Sequence, residues 1–317
     1  MLTTKIRFFI KRKRLVGAIV LCLILLTVFC AGIVLTGALK SAKAEDVTPG
    51  IGVAALENAP QNTLMSLERA LNAHDFRTDL LYYKVFLTAD GILVTLDGKL
   101  DEQSNAQSFF AKKRAEVCDY TYAQLRNLNM GENFENHDFP YRGLRGENIP
   151  ESLKILSVTE LFERCRPYTQ MRFVIELGDS GKMLKKAVGR LAALAAQFGV
   201  QHQLYVVGSQ RAATLIDKDF PDIQRAATPS ETAALYFSFV FGAAPMALKY
   251  KTLFLPSNNC FLNLADKDLI KYARSKGLKV FILAKSNRKD ISNQIKRNAD
   301  VVISATPSIT YDVLTRG

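Results

Sequence analysis

Residues 84–100 read KVFLTADGILVTLDGKL. An apolar run, a tight turn at Asp90-Gly91 and a second apolar run ending in Leu96-Asp97-Gly98 predict a strand, a turn and a returning strand. An Asp-Gly pair between two such runs is a strong local signal for a hairpin. What surrounds the hairpin decides the fold.

Upstream, IGVAA (51–55) reads as a short buried strand, and the hairpin's first strand begins earlier, in LLYYKVFL (80–87). Between them lies PQNTLMSLERALNAH, where Pro60 or Asn62 is expected to start a helix with Leu64, Leu67 and Leu71 on one face. Downstream strands are predicted at 172–177, 203–208, 223–227, 252–256, 279–284 and 301–304. Helical patterns such as KMLKKAVGRLAALAAQFG, KDLIKYARSKG and RKDISNQIKRN separate most of them.

The strands are short and nearly all apolar, as expected of parallel strands covered on both faces. Eight strand–helix units in about 270 residues predict an α/β fold, the (β/α)8 TIM barrel. A doubly wound open sheet is the competing arrangement, but no Gly-rich nucleotide loop follows the first strand. The segment 97–155 breaks the rhythm after the second barrel strand. It holds a helical piece, TYAQLRNLNMG, and a polar loop, ENFENHDFPYRGLRGENIPESL. An insertion there lies on the face where such barrels bind ligands.

The N-terminus differs in character. Residues 15–39, LVGAIVLCLILLTVFCAGIVLTGAL, contain no charge, and roughly 20 such residues suffice to cross a bilayer core as a helix. A basic tip precedes them, with Lys5, Arg7, Lys11, Arg12, Lys13 and Arg14. The reading is therefore a cytoplasmic tip (1–14), one transmembrane helix (15–39), a linker (40–48) and an extracytoplasmic barrel (49–317). A cleavable signal peptide ending near Ala42-Lys43-Ala44 is the rival, but signal cores usually run about 7–15 residues.

Formal net charge is +12, six of those positives being in the tip. The remaining basic excess suits an anionic membrane surface or a phosphate-bearing ligand, or is simply a solvated face. Lys112-Lys113-Arg114 is a candidate contact for anionic lipid head groups. No nucleic-acid motif is present, and no nucleic-acid partner is expected. Cys22 and Cys30 lie in the apolar run; Cys118, Cys165 and Cys260 are scattered without metal-ligand spacing and allow at most one internal disulfide.

Seven segments, in order, resemble the glycerophosphodiester phosphodiesterases, a family of phospholipase-C-like TIM barrels. APQNTLMSLERAL resembles that family's first helix motif, with Gln61 in place of the glutamate of PENT. LTADGILV resembles its hairpin, YTYAQLRNLNMGENF and IPESLKILSVTELF its insertion, and FVIELGDSG its metal-glutamate strand. KGLKVFILAKSN and NADVVISATP resemble its last two strands. The resemblance covers about 49–315, the whole predicted barrel.

The resemblance implies a divalent metal held by carboxylates, with two histidines that move protons and an arginine that stabilises phosphoryl charge. The family places these in HRG after strand one, E-x-D on strand two, HD after the hairpin and a glutamate on strand three. Here Gly52, Val53 and Ala54 stand near HRG, and Tyr82 and Lys84 stand at E-x-D. Asp97-Gly98, or Leu96-Asp97 in the neighbouring register, stands at HD. Glu176 alone remains of the metal carboxylates, and Gly178 replaces a lysine. The histidines are His74, His137 and His202, none at a strand's C-terminal end.

One carboxylate holds Mg²⁺ or Ca²⁺ poorly, and Lys84 brings a fixed charge to a ligand position. Lys84 is expected to pair with Glu176. The leading expectation is a membrane-anchored phosphodiesterase-like barrel without catalysis or cofactor. It would bind or scaffold through Lys84, Tyr82, Gln61 and Asn62. The partner would be a lipid head group, an envelope polymer or another membrane protein. The alternative is an active phosphodiesterase with a rewired site, using Mg²⁺ or Ca²⁺ on Glu176 with Asp97 and Asp90. In a third reading the span does the work and the barrel is a passive cap.

Overall fold

The computed structural model describes residues 47–136, 138–242, 245, 247–257 and 264–316, together with Thr27. The predicted span at 15–39, apart from Thr27, lies outside the described residues, as do Cys22, Cys30, His137 and Cys260. Among the described residues no helix is long and apolar enough to cross a membrane.

The hairpin of residues 84–100 is present. Strand β2 (Leu80–Leu87) pairs antiparallel with β3 (Leu93–Thr95), Val85 opposite Thr95 and Leu87 opposite Leu93. Gly91 takes φ 81°, the left-handed conformation this turn needs. Asp90 accepts from the Thr88 hydroxyl at 2.6 Å and from Tyr122 N–H at 2.9 Å. The turn aspartate therefore builds the hairpin and docks the insertion on it.

The other strands are β1 (Gly50–Val53), β4 (Arg172–Leu177), β5 (Leu204–Val207), β6 (Gln224–Arg225), β7 (Thr252–Pro256), β8 (Lys279–Leu283) and β9 (Val301–Ser304). They pair in parallel in the order β6-β5-β4-β2-β1-β9-β8-β7. The ring is nearly closed. Across the β6–β7 seam, Ala227 N–H donates to Thr252 and Lys251 N–H to Arg225, at 2.8 and 3.0 Å. This is a mixed α/β fold with an eight-stranded parallel barrel.

The longer helices are α1 (Leu64–Leu71), α2 (Val158–Cys165), α3 (Gly181–Phe198), α4 (Gln210–Asp219), α5 (Pro229–Phe241), α6 (Lys267–Ser275), α7 (Arg288–Lys296) and α8 (Pro307–Arg316). Side chains cap the N-termini of six of them. Ser157 with Glu160, and Thr228 with Glu231, form reciprocal capping boxes. Helix α1 starts later than the periodicity implied. Asn62 sits at φ 61°, outside helical space, so Thr63 caps the helix by accepting from Ser66 N–H.

Alternation sorts β2 into two faces. Leu81, Tyr83, Val85 and Leu87 point outward and are buried under the helices with Phe162, Leu184 and Leu191. Tyr83 is thus a core residue. Burial and the neighbouring Cys165 both raise its phenol pKa. Leu80, Tyr82, Lys84 and Phe86 alternate to the other face, where Leu80 and Tyr82 join Val174, Tyr205, Phe281, Val301 and Ile303 inside the barrel.

Two predicted elements came out less than half as long as expected. The strand at 223–227 is only two residues, Gln224–Arg225; Arg225 stays in the sheet through its backbone while its side chain binds Asp217 and Glu231 on two helices. The helical piece at 121–131 is one turn, Tyr122–Leu125, with its own capping box at Thr121 and Gln124. The insertion instead folds around a small core of its own, with Leu96, Leu100, Val117, Leu125, Leu128 and Ile155 buried together. Its far end returns to the barrel where Leu156 N–H donates to Asn62 and Thr95 N–H to Leu156.

Candidate functional site

The mouth of the barrel is the end where strands finish and the insertion stands. Register brings Lys84 of β2 directly opposite Glu176 of β4. Their side chains meet: Lys84 Nζ lies 3.3 Å from Glu176 Oε1. Two residues back on the same face, Tyr82 donates its hydroxyl to Glu176 Oε2 at 2.8 Å. Both carboxylate oxygens are thus engaged, one by an ammonium and one by a phenol. Lys84 and Glu176 are 30% and 27% exposed, so the pair is open to solvent from one side.

Tyr82 is held from behind by Phe254 of β7, with ring centroids 5.2 Å apart and planes at 17°. Burial, then the Glu176 charge and hydrogen bond, push its phenol well above the ordinary range, so it stays a donor. Asp97, beyond the hairpin, is exposed but faces the same crevice. That crevice is lined by Ala55, Asn62, Ser66, Tyr82, Tyr83, Lys84 and Asp97 and holds about 10 Å³, room for no more than one water.

The remaining ligand-binding candidates take other places. Asn62 is buried and donates through Nδ2 to Gln103 at 2.8 Å, tying the start of α1 to the insertion. Gln61 is exposed and makes no side-chain hydrogen bond among the described residues. In the insertion, Lys112 pairs with Asp119 at 2.6 Å while Lys113 and Arg114 are exposed. His74 and His202 are exposed at the opposite end of the barrel, in the turns entering β2 and β5. Cys118 and Cys165 are free.

Two glycines explain why larger groups are absent from the interior. A Cβ on Gly52 would come within 2.5 Å of Ile303 Cγ1, so that wall of the barrel is already filled. A Cβ on Gly178 would come within 2.3 Å of the Phe86 ring. Phe86 therefore lies where a side chain from position 178 would emerge, and no lysine fits there without displacing it. Among the described residues no group of three His, Cys, Asp or Glu could hold a metal ion. Glu176, with both oxygens engaged, does not by itself fit a Mg²⁺ or Ca²⁺ site, which takes six or more oxygens.

Sequence reading missed Asp179, in the loop directly after β4. It accepts from Leu87 N–H through Oδ2 at 2.9 Å and so holds the end of β2 against that loop. Burial pushes its carboxyl up to about 6 against the pull of that hydrogen bond. A folded-state value above the ordinary 3.8 means that the folded chain binds more protons than the unfolded chain between those values. Stability from this group is therefore greatest at low pH and falls as pH rises through about 6. Asp179→Asn keeps the acceptor and removes the charge. It is expected to be more stable than the parent by about 1 kcal/mol at pH 8, allowing for partial exposure, and no different below about pH 4. Thermal melts across pH check this; a constant offset at every pH would contradict it.

No protein-family model matches the chain. A glycerophosphodiester phosphodiesterase of Caldanaerobacter subterraneus subsp. tengcongensis is 21% identical over 264 residues, 82% of this chain and 95% of that relative. The crystal structure of a glycerophosphodiester phosphodiesterase from Agrobacterium tumefaciens superposes with TM-score 0.61 at 16% identity, covering 83% of this chain and 99% of that one. An Oleispira antarctica phosphodiesterase, solved with its product sn-glycerol-3-phosphate, gives 0.61 at 18% identity over 84% and 96%. The parallel barrel, its antiparallel hairpin and the insertion at the mouth are together the glycerophosphodiester phosphodiesterase TIM-barrel fold.

Proposed function

We propose that this protein is a membrane-anchored, phosphodiesterase-like barrel that binds or scaffolds and does not turn over a phosphodiester. The observation that carries this reading is Lys84, whose ammonium meets Glu176 at 3.3 Å where the resemblance calls for a metal-binding carboxylate. A fixed cation there offsets the charge of Glu176 and discourages a second cation. The mouth has no imidazole among the described residues to move a proton to a leaving group. What it offers is one ammonium, one carboxylate and one phenol beside Phe254, Val207 and Leu283. That set suits recognition of a phosphate-bearing head group or polymer, with Lys84 exchanging Glu176 for a phosphate oxygen.

The test is hydrolysis of glycerophosphocholine by the purified full chain, with Mg²⁺, with Ca²⁺ and with chelator, beside Glu176→Gln. The expected result is no release of glycerol phosphate under any condition. Metal-dependent turnover that Glu176→Gln abolishes would overturn the proposal. It would make this an active phosphodiesterase working with Glu176 and Asp97.

A further inference from the structure

The end of the barrel opposite the mouth collects two kinds of side chain that soluble surfaces usually keep apart. Helices of this fold run back against the strands, so helix C-termini and strand N-termini share one rim. On it Arg77, Arg166, Lys218, Lys249, Lys251 and Lys276 are exposed, and among the described residues none makes an ion pair. They outnumber the exposed acids of the rim, Asp75, Glu163, Asp219 and Asp222.

The same rim carries most of the exposed large apolar side chains. Phe237 is 52% exposed and Phe241 39%, on the last turns of α5, their rings stacked at 6.1 Å. Tyr168, before β4, and Val47, before β1, are the others there. Val47 is also where the described chain enters, its N–H donating to Asn298 at 2.9 Å. The uncharged run ends eight residues earlier, at Leu39. Eight residues span at most roughly 29 Å, so a tether from that run delivers this rim to the bilayer ahead of the mouth.

From the joint placement of bases, aromatics and chain entry, we infer that this rim is a docking face for an anionic phospholipid bilayer. Phe237, Phe241 and Tyr168 enter the interface and the lysines and arginines sit against the head groups. The orientation that follows rests on the anchor reading of residues 15–39. The mouth then points away from the bilayer that holds the chain. Its phosphate-bearing ligand therefore comes from the aqueous side or a facing layer, not from the lipids of its own membrane.

The chain has no tryptophan, so Phe237→Trp and Phe109→Trp each place a unique fluorophore, one on the rim and one on the mouth-side insertion. Each full-length variant is reconstituted into vesicles of phosphatidylcholine, with or without phosphatidylglycerol, carrying brominated acyl chains. Phe237→Trp is expected to be quenched about two-fold more in anionic vesicles, an excess lost at about 0.5 M salt. Adding Lys249→Glu, Lys251→Glu and Lys276→Glu should abolish the excess. Phe109→Trp should be unaffected by the bilayer. Quenching of Phe109→Trp instead, or quenching of Phe237→Trp that ignores lipid charge and salt, would overturn the inference. Release of the chain by alkaline carbonate would refute the anchor, while charge-dependent quenching at Phe237 before that wash would still support docking.

Discussion

In the double variant Tyr82→Glu/Lys84→Asp, calcium or magnesium is expected to raise the melting temperature by about 5–10 °C, whereas the parent should not respond. The two replaced side chains already reach the two oxygens of Glu176, at 2.8 and 3.3 Å. Carboxylates grown from the same positions would converge on one point and repel one another until a divalent cation joined them. Metal at about 100 times its dissociation constant would stabilise such a site by roughly 2.7 kcal/mol, which gives the expected shift for a domain of this size. Loss of the Tyr82–Phe254 stack lowers the metal-free melting temperature, so the readout is the difference with and without metal in each protein. A variant that melts identically in both would mean that positions 82, 84 and 176 do not share a coordination sphere. The account of Lys84 as the occupant of a metal's place would then fail.

Arg225→Met is expected to cost the fold about 3 kcal/mol. The guanidinium is 3% exposed and makes bidentate contacts to two carboxylates. Asp217 of α4 accepts at 2.6 and 2.8 Å, and Glu231 of α5 at 2.7 and 2.9 Å. Methionine keeps much of the volume and leaves two facing acids without their cation, a loss that costs about 3–5 kcal/mol for a buried pair. The lower end applies because Asp217 and Glu231 are 21% and 24% exposed. The seam between β6 and β7 depends on this clamp, since β6 is two residues long and pairs little with its neighbour. Urea unfolding measures the loss. A value under about 1 kcal/mol would class the cluster with surface ion pairs and leave the seam held by its backbone hydrogen bonds.

Most of the barrel could be read from the chain because its signals are local. Asp90-Gly91 between apolar runs specifies a hairpin, and short apolar runs at regular spacing specify buried parallel strands. Local signals also misled where a distant partner decided the outcome. The strand at 223–227 is reduced to Gln224–Arg225, where the Arg225 side chain is clamped by Asp217 and Glu231, residues on two different helices. The helix expected through 121–131 stopped after one turn because Leu125, Leu128 and Met130 serve a separate core under the hairpin.

The residue types at the candidate site were likewise legible, and the pairing of Lys84 with Glu176 was expected from alignment of two motifs. By itself the sequence determined which side chains β2 presents, since alternation assigns Tyr82, Lys84 and Phe86 to one face whatever the rest of the chain does. Tertiary structure alone decided what they meet. Closing the ring laid β4 against β2 in the register that joins Tyr82 and Lys84 to opposite oxygens of Glu176. It set Phe86 over Gly178 and sank Asp179 far enough to lift its carboxyl. It also gathered Phe237, Lys249 and Arg77, dispersed along the chain, onto one rim. Facing direction is a property of the backbone within a few residues, whereas burial, register and charge density are sums over neighbours that only the closed barrel brings together.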